Sequence, residues 1–378
     1  MKKRMITSFL WWLLMLLLIA GMTIFTDSSY GFAGCILWIA LPVLTWGINF
    51  YVRKYLTLKI DVTPTASKSE EKQVTLILHN TSTLAVGKAI CQMEFHNTLT
   101  GEKQFQILEM PIRAKGSSKG QLQMMSAHCG YIQMEVKMSV LTDCFGFLPV
   151  KCKLKANRKV DILPDIFQTQ ISLQIPSVAL SEEENWSQEW KGEDYAEVFA
   201  LRDYAEGDSL KQIHWKLSSK KNALIVKEGS FPITKSVLVF WDKNALEAKP
   251  EEMDAMAEVV ASISQSVMET GIPFTLGWTE NTSCVLEEIQ SEDVLIHALP
   301  RMLKSGSRSE ERDFWKENLQ EKNRYGKILY FAKGIPEYIE EIKDTDITFL
   351  LCTREKMQEG IWTFTPETYM QDMAVLEL

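Results

Sequence analysis

Several signatures are missing from the 378-residue chain, and each absence removes a class of chemistry. There is no GxGxxG loop for a dinucleotide, no GxxxxGKS/T loop for a nucleotide triphosphate and no HExxH helix for zinc. Cysteine is sparse. The seven residues Cys35, Cys91, Cys129, Cys144, Cys152, Cys284 and Cys352 are scattered, odd in number and without a CxxC pair. That pattern fits neither a disulfide framework nor a zinc cluster and reads as reduced, buried thiols. None of the five histidines sits in a local catalytic motif, and no cofactor is expected. A basic surplus is lacking as well: 41 Lys and Arg stand against 49 Asp and Glu, for a net charge of −8. Nucleic-acid binding needs a basic face to displace phosphate counterions, so a nucleic-acid partner is not expected.

Charge is absent altogether from two stretches near the N-terminus. Residues 5–25 (MITSFLWWLLMLLLIAGMTIF) and 30–50 (YGFAGCILWIALPVLTWGINF) are each 21 residues long. At ~1.5 Å per residue each reaches ~31 Å, about one hydrocarbon core. The first run is longer than a signal-peptide core, and a second span follows almost at once. The pair reads as a transmembrane hairpin over residues 1–55. Lys2, Lys3, Arg4, Arg53 and Lys54 flank its outer ends, whereas the short connecting loop has no basic residue. The positive-inside rule then places both outer ends, and all that follows, on the cytoplasmic side of a cell inner membrane. The same basic residues would attract anionic membrane lipid.

Residues 56–163 read as β. Short apolar or alternating runs at 74–78, 89–95, 121–125, 131–140 and 151–154 are separated by Gly, Asn, Ser and Thr clusters, which suggests a small sandwich or barrel. The GxSxG match at 116–120 lies between two strand-like runs. A nucleophile elbow needs a strand before it and a helix after it, so a hairpin turn is expected there.

An acidic run at 181–185 leads into a denser pattern at 190–228, within a segment of 164–235. Residues 196–202 read as a strand, Glu206-Gly207-Asp208 as a turn, and 210–219 as a helix with Leu210, Ile213, His214 and Leu217 on one face. A further strand begins at 224. The order Gly192, Glu197, Leu201-Arg202, Tyr204, Gly207-Asp208, Ile213, Trp215-Lys216, Lys220, Leu224, Val226 and Glu228 resembles the domain-of-unknown-function 58 family. Members often carry arginine where this chain has Lys211 and Lys220, which keeps the charge but not the bidentate fork. The resemblance implies a bacterial membrane protein that works beside a MoxR-type AAA+ ATPase. It supplies no catalytic residue.

Residues 236–378 alternate between strand and helix. Strands are expected at 236–241, 273–278, 327–331 and 346–351, and helices at 251–270, 293–304 and 336–342. Alternation of this kind argues for a mostly parallel sheet. The arrangement resembles a von Willebrand factor A-like, Rossmann-type α/β domain. Such domains often hold Mg²⁺ through Asp-x-Ser-x-Ser at the end of the first strand. Here Asp242 takes the aspartate position, but Asn244 and Leu246 replace the serines, and leucine cannot ligate, so no metal is expected.

The sequence thus leads to an α+β multidomain membrane protein: a two-helix hairpin, a β-sandwich-like domain and an α/β domain. The functional expectation is a non-enzymatic interaction or scaffold protein that acts with a MoxR-type ATPase in assembly or remodelling of envelope or membrane complexes. One alternative is an enzyme with a site around Arg202, Asp208 and Lys216. Another is an outward-facing adhesion module, which the charge flanks and Leu246 oppose.

Overall fold

The computed structural model describes residues 2–26, 29–143, 145, 146, 148–173, 186–192, 194–203, 213, 215–221, 224–232, 236–243, 248–272, 274–280, 283–304, 306, 325–334, 347–354 and 361–377. The described residues form two compact units. The first gathers Met1–Asp165, Ala248–Glu258 and Leu299–Ser307; the second gathers Ile166–Glu247, Val259–Ala298 and Arg308–Leu378.

The first unit opens with helices α1 (Lys2–Thr26) and α2 (Ser29–Val52). Met5–Phe25 and Ser29–Tyr55 are long and apolar enough to cross a membrane. Their side chains are mostly exposed, Leu17, Phe25, Phe32 and Leu37 among them, as suits a lipid solvent. The indole of Trp38 donates to the carbonyl of Trp12 at 3.3 Å, fixing the pairing of the two helices. Pro42 interrupts the α2 ladder, and the Thr45 hydroxyl donates to the carbonyl of Leu41 at 3.0 Å near the break.

A single 3₁₀ turn, Arg53–Tyr55, joins α2 to the first strand. Two sheets follow. One pairs β1 (Leu56–Asp61), β3 (Lys72–Asn80) and β6 (Gly116–Met124) in the order β1-β3-β6. The other runs β2-β9-β7-β4-β5, from β2 (Thr65–Ala66), β4 (Val86–Asn97), β5 (Lys103–Ile112), β7 (Gly130–Thr142) and β9 (Asn157–Ile162), with β8 (Val150–Cys152) paired to β7. Burial alternates along β1, so Leu56, Leu58 and Ile60 point inward. They join Leu76, Met93, Met110 and Met134 in one core shared by both sheets.

The expected turn over the GxSxG match is not there. Residues 116–120 open strand β6, paired with β3 from Asn80↔Gly116 to Lys72↔Met124. The turn lies just before, at Ala114–Lys115, where Lys115 has φ +43°. A continuous ladder outweighs the turn chemistry of glycine and serine. The side chains of Leu108 and Met110 pack directly over Gly120, where a Cβ would lie 2.6 Å from Leu108 Cδ2 and 2.8 Å from Met110 Cγ.

The second unit contains three sheets among its described residues. An antiparallel one has the order β11-β13-β12, from β11 (Trp186–Gly192), β12 (Asp194–Asp203) and β13 (Ile225–Pro232). The largest has six strands: β14 (Ser236–Trp241), β15 (Phe274–Glu280), β16 (Ser283–Ile289), β17 (Tyr325–Ala332), β18 (Ile347–Cys352) and β19 (Ile361–Phe364). Their order is β16-β15-β14-β17-β18-β19, parallel throughout except for the antiparallel edge pair β15–β16. Val237 to Trp241 are buried without a break, as a parallel strand covered on both faces requires. A short parallel pair joins β10 (Gln170–Ser172) to β20 (Val375–Glu377).

Helices α3 (Trp215–Lys221), α4 (Pro250–Glu269), α5 (Glu292–Met302) and α6 (Tyr369–Asp372) complete the described elements. Helix α4 is buried on more than one face: Ala255, Val259 and Ala261 are buried along with Met256, Val260 and Ile263. Its serines serve the neighbouring backbone: Ser262 Oγ accepts from the amide of Phe167 at 3.1 Å, and the Ser266 hydroxyl donates to the carbonyl of Thr169 at 3.0 Å. The helix expected at 336–342 lies outside the described residues.

Candidate functional site

In an open doubly wound sheet, ligands bind beyond the carboxyl ends of the strands, where the strand order reverses. Here the reversal falls between β14 and β17, with Asp242 next after β14. Its carboxylate is buried and accepts a hydrogen bond from the Tyr330 hydroxyl at 2.5 Å. Its amide donates to the carbonyl of Phe331 at 2.8 Å. The next amide, of Lys243, donates to the Thr279 hydroxyl at 2.9 Å, and the Lys243 ammonium lies 4.8 Å from the Trp241 ring centre. Asn244 and Leu246, the other positions of the degenerate metal pattern, lie outside the described residues. Among the described residues no cluster of three His, Cys, Asp or Glu side chains could hold a metal.

The motif at 190–228 folds around β13. Leu201 pairs with Lys227 and Arg202 with Val226, so the Leu-Arg step and the Leu-x-Val-x-Glu step are register partners. Glu197 lies on the same strand, β12, and Gly192 ends β11 opposite Gly229. Ile213 is buried and bridges Val226, which makes its backbone extended. This corrects the helix expected at 210–219: the described helix starts at Trp215, because a backbone bridge to the strand has taken Ile213. Lys216 and Lys220 are one turn apart and both exposed. Tyr204, Gly207 and Asp208 lie outside the described residues, so the grouping of Arg202, Asp208 and Lys216 is only partly described. Ser218, which the sequence did not single out, fastens the motif. Its hydroxyl oxygen accepts from the Ile225 amide at 2.9 Å and donates to the Ile225 carbonyl at 3.4 Å.

A second polar cluster, also missed, sits inside the first unit. The Lys68 ammonium donates to Asp254 Oδ2 at 2.6 Å and to Glu258 Oε1 at 2.5 Å. The amide of Cys129 donates to Asp254 Oδ1 at 2.6 Å, and His128 Nδ1 lies 3.5 Å from Asp254 Oδ2. Burial opposes the charge on Lys68, but its hydrogen bonds to Asp254 and Glu258 outweigh that and hold its pKa above the ordinary lysine value. Burial, together with the nearby carboxylates, pushes the Cys129 thiol well up, which leaves it protonated and a poor nucleophile. Burial likewise pushes Cys91 up to about 11, and the six described cysteines are all free thiols. The available signal was the pair Asp254 and Glu258, four residues apart on α4 and interleaved with the apolar run Met253, Ala255, Met256 and Ala257.

No protein-family model and no curated protein matches this chain. Among solved structures, the CARDB domain of the PF1109 protein from Pyrococcus furiosus is similar over 28% of this chain and 91% of its own, at 10% identity and a TM-score of 0.22. A cohesin module from a Clostridium perfringens family 33 glycoside hydrolase matches over 29% and 98%, at 9% identity and a TM-score of 0.23. A β-glucosidase from Listeria innocua is matched over 28% of this chain and 16% of its own, at 12% identity and a TM-score of 0.22. Likeness at that level carries no argument about function.

Proposed function

We propose that this chain is a membrane-anchored, non-enzymatic interaction protein of the domain-of-unknown-function 58 type. Its soluble units lie on the cytoplasmic face of the inner membrane, and its partner is a MoxR-type AAA+ ATPase engaged in assembling or remodelling membrane complexes. The observation that carries the reading is the junction at Val52. This last residue of α2 is fully buried in the sandwich core, and Leu56 begins β1 after a single turn. The anchor therefore continues into a folded platform without a loose linker, so a partner would meet a positioned surface and a raised local concentration. The mostly parallel sheet with Asp242 at the end of β14 supports the von Willebrand factor A-like assignment. The Tyr330–Asp242 hydrogen bond favours a structural role for that carboxylate over an open reacting group. Exposed Lys216 and Lys220, on the helix that Ser218 ties to β13, offer a contact surface.

Crosslinking capture from membranes with the tagged full-length protein tests this. The ATPase is expected with the wild type and lost with the double variant Lys216→Glu, Lys220→Glu, whose exposed positions leave the fold intact by circular dichroism. A folded wild type that captures no ATPase removes the partner from the proposal.

A further inference from the structure

The near rim of the sandwich runs back alongside the helical hairpin. Val52, the last residue of α2, is buried in the sandwich core, and Ala85, Val86 and Gly87 line a common cleft with Thr45, Ile48 and Asn49 of that helix. Further along α2, the loop after β7 lays Phe145 edge-on against Trp38, ring centres 5.6 Å apart. The same loop reaches α1, since a Cβ on Gly146 would lie 3.8 Å from Ser8 Oγ. Ser8 and Trp38 both fall inside the apolar spans Met5–Phe25 and Ser29–Tyr55. At ~1.5 Å per residue, Ser8 lies ~6 Å inside the basic flank at Arg4 and Trp38 ~22 Å inside the flank at Arg53. Irregular backbone at such a depth has to satisfy its own polar groups. Here the Gly146 amide donates to the Asp143 carbonyl at 3.1 Å, and the Leu148 amide donates to Asp143 Oδ1 at 3.1 Å. Gly146 has φ +77°, which closes the turn. Phe145 and Leu148 are apolar and half-buried.

A second loop of the rim carries Leu84, 38% exposed and adjacent to Ala85 at the cleft. Cations surround it. The Asn80 side-chain amide donates to the carbonyls of Leu84 at 3.0 Å and Arg113 at 2.9 Å. The Lys115 amide donates to the Ser82 carbonyl at 2.8 Å, and the Thr81 amide to the Tyr55 carbonyl at 3.1 Å. These bonds tie the loop at 81–85 and the turn at 113–115 to the 3₁₀ turn after α2. Arg53, Lys54, Arg113 and Lys115 therefore share one end of the sandwich, the last three exposed. Apolar side chains alongside the helices, with cations at their exit, match the order in which a bilayer offers hydrocarbon and then phosphate. We infer that this rim is immersed in the bilayer, with Phe145, Leu148 and Leu84 among acyl chains and the four cations at anionic headgroups. The sandwich is then seated in the membrane and not held above it. This rests on reading the two helices as membrane-spanning.

Photolabelling of the full-length protein in bilayers tests it, with a phosphatidylcholine that carries a diazirine along its acyl chain and mass spectrometry to locate the adducts. Label is expected on both helices and also on the peptides around Leu84 and around Phe145 to Leu148. Phe105 supplies the control, because it is apolar and 54% exposed but lies at the other end of β5. That strand meets the rim at Ile112, paired with Val86, and Phe105 is ~24 Å away along it, so its peptide should stay unlabelled. Leu84→Asp, at an exposed position whose carbonyl makes the loop's hydrogen bonds, should lose the label around residue 84 and keep that on the helices. Label on the helices with none on either rim peptide overturns the immersion and leaves the membrane reading standing. Label as strong at Phe105 as on the rim overturns it too, since exposure alone would then explain the adducts. No label on either helix overturns the membrane reading and the immersion together.

Discussion

The two units bury charge in different ways. In the first, Lys68 meets Asp254 and Glu258 together, and a backbone amide takes a further oxygen of Asp254. In the second, Asp242 is held at a strand end by the neutral phenol of Tyr330 and by its own backbone. The first arrangement is a cluster of full charges whose members lose heavily when one is removed. The second loses one hydrogen bond and keeps its place in the sheet. Inside a protein, what counts is less whether a charge is buried than how much of its compensation sits in a single partner.

Lys68→Ala should have the largest effect. It strips two buried carboxylates of their shared cation and should cost about 3–5 kcal/mol, read as a fall in the thermal midpoint of the full-length protein in bilayers. The pH dependence has a definite sign. Lys68 is raised in the folded state, so its contribution is complete below the unfolded lysine value near ~10.4 and is lost only as pH climbs through the folded value. Wild type and Lys68→Ala should therefore differ by a constant amount across neutral pH and converge only in strong alkali. A difference that shrinks between pH 6 and 8 would assign the effect to a group other than Lys68.

Tyr330→Phe should cost less, about 1–3 kcal/mol. Faster amide exchange should be confined to the carboxyl ends of β14 and β17, with the sandwich unchanged. Exchange rising equally in both units would erase the contrast drawn above.

Ser218→Ala should be smallest, about 1 kcal/mol, and visible mainly as faster exchange of the Ile225 amide that the hydroxyl now protects. An unchanged Ile225 amide would mean that the bridge from Ile213 alone holds the motif.

Much of the architecture was legible wherever one-dimensional periodicity mattered. The uncharged stretches at 5–25 and 30–50 match α1 and α2, two helices long and apolar enough to cross a membrane, because an unbroken apolar run of that length is visible from composition alone. The apolar run at 236–241 matches β14, buried from Val237 to Trp241, because a parallel strand is covered on both faces. Strand β5 was not found: Phe105 and Ile107 are exposed while Leu108, Met110 and Ile112 turn inward, so its apolar residues appear on both faces. At the candidate sites the sequence supplied the motif order and Asp242. The partners Tyr330, Thr279 and Ser218 come from other elements and carry no local mark.

By itself the sequence determined where the chain can meet lipid, where strands alternate with helices, and which chemistries lack their residues. Those follow from composition and spacing along one chain. Only the tertiary structure decided that Lys68 answers Asp254 and Glu258 across 186 and 190 residues, and that Ile213 leaves its helix to bridge Val226. A buried polar group must find its complement in space, and no spacing along the chain says which distant residue will supply it.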